Sequence, residues 1–320
     1  MFIAIDHGNK NMKTAHRVFT SGLSESDTRP PFGENILQYG GKYYVLSEQR
    51  IPYLRDKTLD DRFFVLTLFA IAFELEAAGL HTSDNVVDIQ LAVGLPPLHF
   101  GSQYKQFEQY FQKRDIVNFR LNEKPFSIWI DTVCCYPQAY AAAIAYQQIR
   151  EQNKVMVLDL GGFTLDYLRI RSGRPDFAVC DSLEYGIIIL YNDIIRKVNS
   201  EWDLLLDETD IDTVLQGEDT AYSEQVVRII HEKAQAFING LTGKLRERMI
   251  DLRVGPNVFV GGGALLLRRY IEESDKIGDA VFVTDIGANV RGYSLLYAAS
   301  NGRGTSYGRK ENILAVLYKV

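Results

Sequence analysis

The chain has 320 residues, 46% hydrophobic and 24% charged, a balance typical of a soluble globular protein with room for two domains. The net charge of −6 and a pI near 5.5 disfavour direct binding to nucleic acid, because DNA-binding surfaces are normally basic. The three cysteines lack metal-ligand spacing, and the longest nearly apolar run, Phe63 to Phe73, is too short to span a bilayer. With no signal peptide at the start, the chain is expected to be cytoplasmic and to make no membrane contact.

The chain opens with a short apolar strand, Phe2 to Ile5, and a polar turn follows it. Lys13 is predicted to lie at the start of the returning strand, where its ammonium could reach a phosphate; taken alone it would read as a solvated strand lysine. A strand that ends in Asp and is followed by Gly and a polar turn is typical of a phosphate site. The candidate residues of this first turn are Asp6, Gly8, Asn9, Asn11 and Lys13.

Strands and helices alternate through the rest of the first half. A Gly-Gly hairpin is predicted at 36–46 and a buried helix from Asp60 or Asp61 to about Gly79. Further predictions are a strand at 86–95, a helix at 103–113 with core aromatic residues, strands at 117–121 and 126–133, and a helix beginning at Pro137.

The apolar strand Val155 to Leu158 leads into a second turn of the same kind. Asp159 is predicted to end the strand and to hold Mg²⁺ through water, since that ion dehydrates reluctantly. Asp166 either orders the site or caps a loop. Considered alone, the pattern also fits a simple hairpin turn, but a second copy of the Asp-turn pattern favours phosphate binding. The remaining candidates in this turn are Gly161, Gly162, Phe163 and Thr164.

A third, Gly-rich turn follows the strand 258–260 and precedes a predicted helix at 265–270. Its candidates are Gly261, Gly262, Gly263 and Ala264, which permit close approach of a ring or phosphate. Glu184 and Gly186 are either nucleotide-edge residues or a turn that starts the helix at 187–198. The long helix at 222–249 carries three basic candidates for contacts near an adenosine: Lys233, Lys244 and Arg246. Neither the Walker sequence nor G-x-G-x-x-G after a strand is present.

These three turns, in this order, resemble the superfamily of actin, sugar kinases and heat-shock-chaperone ATPases. Within it, the chain is similar to the bacterial actin-like ParM and StbA proteins of plasmid segregation. The residues that carry the likeness are the first turn, the strand and turn 91–97, Tyr136-Pro137-Gln138-Ala139, the second turn 159–166, and the stretch 288–293. The resemblance implies an α/β fold of two duplicated, actin-like (ribonuclease H-like) domains with a nucleotide cleft between them. It places domain I at 1–153 plus 287–320, with a small subdomain at about 33–60, and domain II at 154–286.

The resemblance also implies a function. A slow ATPase, possibly also a GTPase, would form a homopolymer filament and segregate plasmid DNA through a DNA-binding adaptor. ATP or GTP would bind with Mg²⁺, which Asp6 and Asp159 would hold through water, and Gln138 would orient the attacking water, since an amide cannot take its proton. A small-molecule kinase and a non-polymerising nucleotide-switched scaffold of the same superfamily are the alternatives. The tail 304–320 either packs on the body or contacts a neighbouring subunit.

Overall fold

The computed structural model describes residues 1–52, 54–80, 85–112, 115–146 and 153–301, apart from the side chains of Phe177 and Asn301. The predicted tail at 304–320 lies outside these residues. The chain divides into two compact units, the first formed by Met1–Tyr146 with the segment from Gly287 onward and the second by Gln147–Ile286.

The strands of the first unit form a seven-stranded mixed sheet and a three-stranded antiparallel sheet. They are β1 (Phe2–Ala4), β2 (Asp6–His7), β3 (Asn11–Lys13), β4 (Val18–Thr20), β5 (Leu23–Ser26), β6 (Ile36–Tyr39), β7 (Lys42–Leu46), β8 (Val87–Leu95), β9 (Val117–Leu121) and β10 (Lys124–Pro137). The larger sheet has the order β1-β8-β10-β9-β6-β7-β5, and the smaller has the order β2-β3-β4. The predicted hairpin at 36–46 is confirmed, and it continues the large sheet because β6 pairs with β9.

The strands of the second unit form one five-stranded sheet. They are β11 (Lys154–Leu160), β12 (Leu165–Arg171), β13 (Arg174–Leu183), β14 (Asn257–Val260) and β15 (Ala280–Phe282). The order β13-β12-β11-β14-β15 has antiparallel pairs on one side of β11 and parallel pairs on the other. The first unit repeats this order when β1 and β2 are taken as one interrupted strand: β4-β3-β2 on one side, and β1-β8-β10 on the other. The two units are therefore structural duplicates in their central strands.

The helices pack on these sheets. They are α1 (Arg62–Ala77), α2 (Pro97–Phe111), α3 (Tyr140–Ile144), α4 (Ile187–Trp202), α5 (Glu208–Leu215), α6 (Glu224–Glu247), α7 (Gly262–Leu266), α8 (Arg268–Glu272) and α9 (Ala288–Asn301). Residues 63–75 of α1 are all buried, which explains why this helix lacks a polar face and why its sequence reads as a nearly apolar run. The aromatic residues of α2 join the same core, as predicted.

The structure corrects several predicted boundaries. Pro137 does not begin a helix: it ends β10, paired with Leu95 of β8, and the helix starts only at Tyr140. The α2 helix starts at Pro97, six residues before the predicted start, and uses the proline at its first turn. The predicted helix at 265–270 is two short helices that meet at Leu267. Asp61 occupies the N-cap position of α1 without a capping hydrogen bond, while the carboxylate of Asp60 accepts the N–H of Arg62.

Candidate functional site

The first turn lies between β2 and β3 and is anchored through Ser21. The Ser21 hydroxyl donates to the Gly8 carbonyl at 2.6 Å, and the Ser21 N–H donates to the Lys10 carbonyl at 2.9 Å. Because a trans peptide directs C=O and the following N–H to opposite sides, the N–H of Asn9 points away from Ser21. A Cβ on Gly8 would lie 2.4 Å from the Asn11 carbonyl oxygen, so only glycine fits this tight turn.

Asp6 is the centre of a buried polar cluster beside this turn. Its side chain is buried, with Lys13 Nζ 3.2 Å from Oδ2 and Gln138 Nε2 2.8 Å from Oδ1. Burial raises the pKa of Asp6, but the ammonium groups of Lys13 and Lys57 outweigh it and hold the pKa below its usual value. The carboxylate is therefore charged at neutral pH. The structure brings three of the predicted residues, Asp6, Lys13 and Gln138, into direct contact.

Gln138 lies in the turn between β10 and α3, where the prediction placed it on a helix. Its main-chain N–H donates to the Leu95 carbonyl, and the next residue, Ala139, adopts a left-handed conformation with φ of 59°. The side-chain amide is held by Asp6 in a buried position. This fixed orientation is what a water-positioning residue requires, and that role stays a prediction.

Lys57 is a site residue that the sequence did not indicate. It is 6% exposed, its ammonium donates to the His7 carbonyl, and it lies 5.1 Å from the centroid of the Phe63 ring. A lysine between a hairpin and a helix normally reads as a solvated side chain, and no local pattern distinguishes this one. Its burial beside Asp6 follows only from the packing of the 47–61 connection.

His7, the residue after Asp6, is fully buried among Phe63, Phe107 and Phe111. Thr67 Oγ1 donates to the Phe63 carbonyl, so it accepts a hydrogen bond from Nε2 of His7 at 2.8 Å. Burial, reinforced by the charge of Lys57, lowers the pKa of His7 to about 3. The imidazole is neutral near pH 7, and its hydrogen bond to Thr67 connects the strand before the first turn to α1.

The second turn, between β11 and β12, is anchored to the start of α4. The carbonyls of Gly161, Gly162 and Phe163 accept the N–H groups of Ile187, Ile188 and Gly186 at 3.1, 2.9 and 2.9 Å. The trans-peptide geometry therefore directs the N–H groups of Gly162, Phe163 and Thr164 away from α4. Three successive N–H groups on one side of a turn form an anion-binding concavity.

Gly186 makes this anchoring possible. It is the N-cap of α4, and a Cβ on it would lie 2.4 Å from the Gly162 carbonyl oxygen. The helix N-terminus is therefore satisfied by the turn itself, and the turn presents its own amides on the other side. This arrangement agrees with the interpretation of Gly186 as part of a helix-start turn. Glu184, two residues earlier, is exposed.

Asp159 and Asp166 face each other across the second turn. The prediction that the strand stops at Asp159 is wrong, because β11 continues through Leu160 and pairs Asp159 with Asp166 in the antiparallel ladder. Directly opposed residues share a face of the sheet, so two buried carboxylates lie side by side here, at 7% and 3% exposure. Asp166 is a residue of β12, on the returning strand.

The Gly-rich turn lies next to Asp159 because β11 and β14 are parallel neighbours, with Asp159 opposite Val260. Gly261 has φ of 91°, and a Cβ there would lie 2.5 Å from Asp159 Oδ1 and 2.7 Å from the Leu160 carbonyl oxygen. Gly263 approaches the same carbonyl, with 2.9 Å left for a Cβ, whereas a Cβ on Gly262 would meet open space. Ala264 is buried in α7. The second and third turns thus form one continuous backbone surface at the carboxyl ends of β11 and β14.

The basic candidates on α6 differ in their surroundings. Lys244 Nζ lies 5.2 Å from the centroid of Tyr185, whose ring stacks on Phe237 at 4.6 Å. Lys233 pairs with Asp193 of α4 at 2.9 Å, and Arg246 is exposed. Lys244 is therefore the one that contacts the segment leading into Gly186, while Lys233 joins two helices.

The residues present fit a nucleotide with Mg²⁺ better than a directly ligated metal. The two oxygens of Asp6 each accept one hydrogen bond, from Lys13 and Gln138, and Mg²⁺ commonly keeps several waters, so a contact through water suits this carboxylate. Among the described residues, no group of three or more His, Cys, Asp or Glu side chains is arranged to hold a metal ion. In the same part of the chain, no helix is long and apolar enough to cross a membrane.

Comparison with known proteins agrees with this architecture. Residues 4–140 match the family model described as Actin like proteins N terminal domain, and residues 157–273 match Archaeal actin homologue MreB-like, C-terminal. The crystal structure of Ta0583, an archaeal actin homolog, is 19% identical with a TM-score of 0.73, covering 93% of this chain and 99% of that chain. Its complex with ADP gives 0.67 at 19% identity, covering 92% and 97%.

A 15-stranded ParM filament from Clostridium botulinum is also similar, at 18% identity with a TM-score of 0.69, covering 91% of this chain and 97% of that chain. No curated protein sequence matches the chain. At these identities the structural likeness shows the fold.

Proposed function

Because both halves of the chain match actin-like family models, the chain belongs to the actin-like proteins, and we propose that it is a nucleotide-dependent, filament-forming ATPase. We further propose that its filaments segregate plasmid DNA in the cytoplasm through a DNA-binding adaptor, since the chain itself is acidic. ATP or GTP is the nucleotide.

One observation carries the nucleotide-binding part of this proposal: the same kind of anchored turn occurs in both units. In each turn, main-chain carbonyls on one side accept hydrogen bonds from elsewhere in the unit. The donors are Ser21 in the first unit and the start of α4 in the second. Each turn therefore presents amide groups on its other side to an anion. Two amide-lined turns, each next to a buried aspartate, suit the phosphates of a nucleoside triphosphate.

The residues then divide the work of phosphoryl transfer to water, which depends on positioning and charge stabilisation. The amides of the two turns bind phosphate oxygens, and Lys13 adds a cation whose position Asp6 fixes. Mg²⁺, held through water by Asp6 and Asp159, would neutralise phosphate charge when bound with the nucleotide. Gln138 orients water without accepting its proton, so hydrolysis is slow, as suits a nucleotide that times the lifetime of a polymer.

The proposal is tested by sedimenting the purified protein after adding ATP or GTP with Mg²⁺, in parallel with nucleotide hydrolysis. We expect nucleotide-dependent pelleting and slow phosphate release in the wild type. Asp159→Asn should lose both, because it replaces the buried carboxylate of the second turn with an amide of the same size. Wild-type protein that binds nucleotide but neither hydrolyses it nor pellets over a wide range of concentrations would contradict the proposal.

A further inference from the structure

Helices α4 and α6 of the second unit run antiparallel, which fixes what lies at each end of α6. Tyr185, just before α4, stacks on Phe237, and Asp193 pairs with Lys233. As α4 advances, its contacts on α6 therefore move toward the start of α6. Tyr222, immediately before α6, also contacts the side chain of Asp210 in α5. The segment joining α4 to α5 thus lies near the start of α6.

This segment forms the acidic end, which we define as the surface of Glu201–Asp210. The acidic end and the residues that follow it to the start of α6, together 201–224, carry nine acidic side chains and no lysine, arginine or histidine. Within it, Leu205 is 86% exposed, and Trp202 and Leu204 are exposed to lesser extents. Three large apolar side chains close together on a strongly charged surface are unusual for a region that stays in water.

The opposite end of α6 combines a net positive charge with exposed apolar side chains. We define the basic end as the surface of Lys244–Val254, which contains four basic residues and two acidic ones. Met249 is 93% exposed and Val254 is 67% exposed. Because α6 has 24 residues, the two ends are about 36 Å apart.

Met249 also occupies an unusual backbone position. It follows the C-cap of α6 with φ of 60°, in a Schellman-type ending closed by the Ile250 N–H to the Leu245 carbonyl at 3.0 Å. Glycine is the usual residue there, because side chains cost energy in the left-handed region. Here a strained position carries an apolar side chain that is almost fully exposed. It rims an open depression that is also lined by Lys154 and Arg169.

The helix dipole accounts for only part of this pattern. Acidic residues at the start of a helix and basic residues at its end are stabilising, and Glu224, Lys244 and Arg246 fit that rule. The dipole does not account for Leu205 or Met249, since an exposed apolar side chain gains nothing from it. Burial of each surface in a contact with another protein surface explains both its charge and its exposed apolar residues.

We propose that the acidic end of one copy of this chain binds the basic end of the next. The contact places Leu205 and Trp202 against the rim formed by Met249 and Val254, within a ring of opposite charges. It is heterologous, since each copy uses two different surfaces, and such contacts propagate into open polymers. This inference rests on the proposed filament function and names the surfaces that would build it.

Two variants, each blocked at one end, test the proposal directly. Glu201→Lys with Leu205→Lys reverses the acidic end, and Arg253→Glu with Met249→Glu reverses the basic end. All four positions are exposed, so the folds should survive, as circular dichroism would verify. The matched controls are Glu272→Lys with Glu273→Lys and Arg268→Glu with Arg269→Glu on α8, which reverse exposed charges of the same unit elsewhere.

Analytical ultracentrifugation with ATP and Mg²⁺ gives the readout. Each end variant alone should be monomeric, while an equimolar mixture should form a 1:1 heterodimer or larger complexes of equal composition, because one intact end of each kind remains and the two reversed ends also carry opposite charges. The complex should weaken by roughly tenfold or more in high salt, as rim charges are screened. The control variants should behave as the wild type does.

The outcomes separate this proposal from the proposed function. A mixture that stays monomeric overturns the proposed contact, whether or not the wild type polymerises. Wild-type polymerisation that both end variants retain also overturns it and leaves the filament function standing. A heterodimer in the mixture without any nucleotide-dependent polymer of the wild type supports the contact and overturns the nucleotide-driven filament.

Discussion

Lys57 brings a second positive charge to Asp6 and holds the first turn by its His7 carbonyl. Lys57→Met removes that charge-assisted hydrogen bond and leaves a side chain of similar length. A loss of about 2 kcal/mol, or roughly thirtyfold in nucleotide affinity, is expected. Isothermal titration with ATP and ADP measures it.

The control for Lys57 is Lys105→Met on α2, where the lysine is exposed. That variant should bind nucleotide like the wild type. A folded Lys57→Met protein with wild-type affinity would show that Lys57 supports the core only and has no part in nucleotide binding.

His7 predicts a pH dependence of stability. Its pKa is about 3 in the folded state and about 6.5 when unfolded, so the unfolded chain binds the proton first as the pH falls. The contribution of the neutral His7 to the free energy of unfolding is complete above pH 6.5. It declines by about 1.4 kcal/mol per pH unit below that value and is lost near pH 3.

Denaturant unfolding of the wild type and His7→Gln, followed between pH 7.5 and 4.5, isolates this effect. The wild-type free energy of unfolding should fall more steeply with decreasing pH than that of the variant, which does not titrate at this position. Parallel slopes for the two proteins would rule out a buried neutral His7.

The site residues differ in how far sequence could predict them. Asp6, Gly8 and Lys13 are local, and spacing predicts an aspartate beside a tight turn and a lysine on the returning strand. The predicted bounds were wrong by a few residues, since the strand runs on to His7 and Lys13 ends β3 instead of beginning it. Lys57 lies 44 residues beyond Lys13, and its role depends on how the connection before α1 folds back. Ser21 and Gly186 hold the turns through hydrogen bonds to main-chain carbonyls. A pattern of side chains in the sequence does not predict such bonds.

Among the elements, the junction between the second turn and α4 is tightly constrained. Gly186→Ala would place a Cβ 2.4 Å from a backbone oxygen, forcing the turn and the helix apart. A destabilisation of about 2–3 kcal/mol is expected, together with loss of nucleotide binding. Denaturant unfolding and ATP titration of the same sample measure both.

Gly243→Ala on α6 is the matched substitution. A Cβ there meets nothing within 4 Å, and the residue lies inside a helix, so the change should stabilise by up to about 1 kcal/mol. Equal effects of the two substitutions would contradict the anchored-turn geometry.

Element boundaries were predictable where local signals and packing agree. The strand at 117–121 alternates buried and exposed residues and was predicted correctly. At Pro137 the proline suggested a helix start, but parallel pairing with β8 extends the strand to that residue. At Leu267 an apolar helical pattern continues while the backbone breaks, because Gly261 and Gly263 fit against Leu160 and set the course of the first short helix.

In the whole molecule, each unit carries the same central strand order and one Asp-containing turn. The repeat was inferable from two Asp-containing turns separated by about one domain length, whereas assembly has no motif. The proposed end-to-end contact depends on the packing of α4 on α6, which places opposite charges at opposite ends of one helix.

Polymer lifetime should depend on Gln138. Gln138→Ala removes the amide that Asp6 holds, so hydrolysis should slow by roughly tenfold or more while polymers persist longer. Phosphate release and polymer decay are measured together, after ATP affinity has been checked. The exposed Gln216→Ala serves as the control, and equal hydrolysis rates in the two variants would return Gln138 to a structural role.

The central claim is that nucleotide drives a dynamic polymer. Light scattering at 90° from the purified protein, after addition of ATP, GTP or neither with Mg²⁺, tests it most directly. We expect a nucleotide-triggered rise followed by decay as the nucleotide is hydrolysed, and a flat trace without nucleotide. A flat trace at all protein concentrations while nucleotide is bound would contradict the account and favour a kinase or a monomeric switch on the same fold.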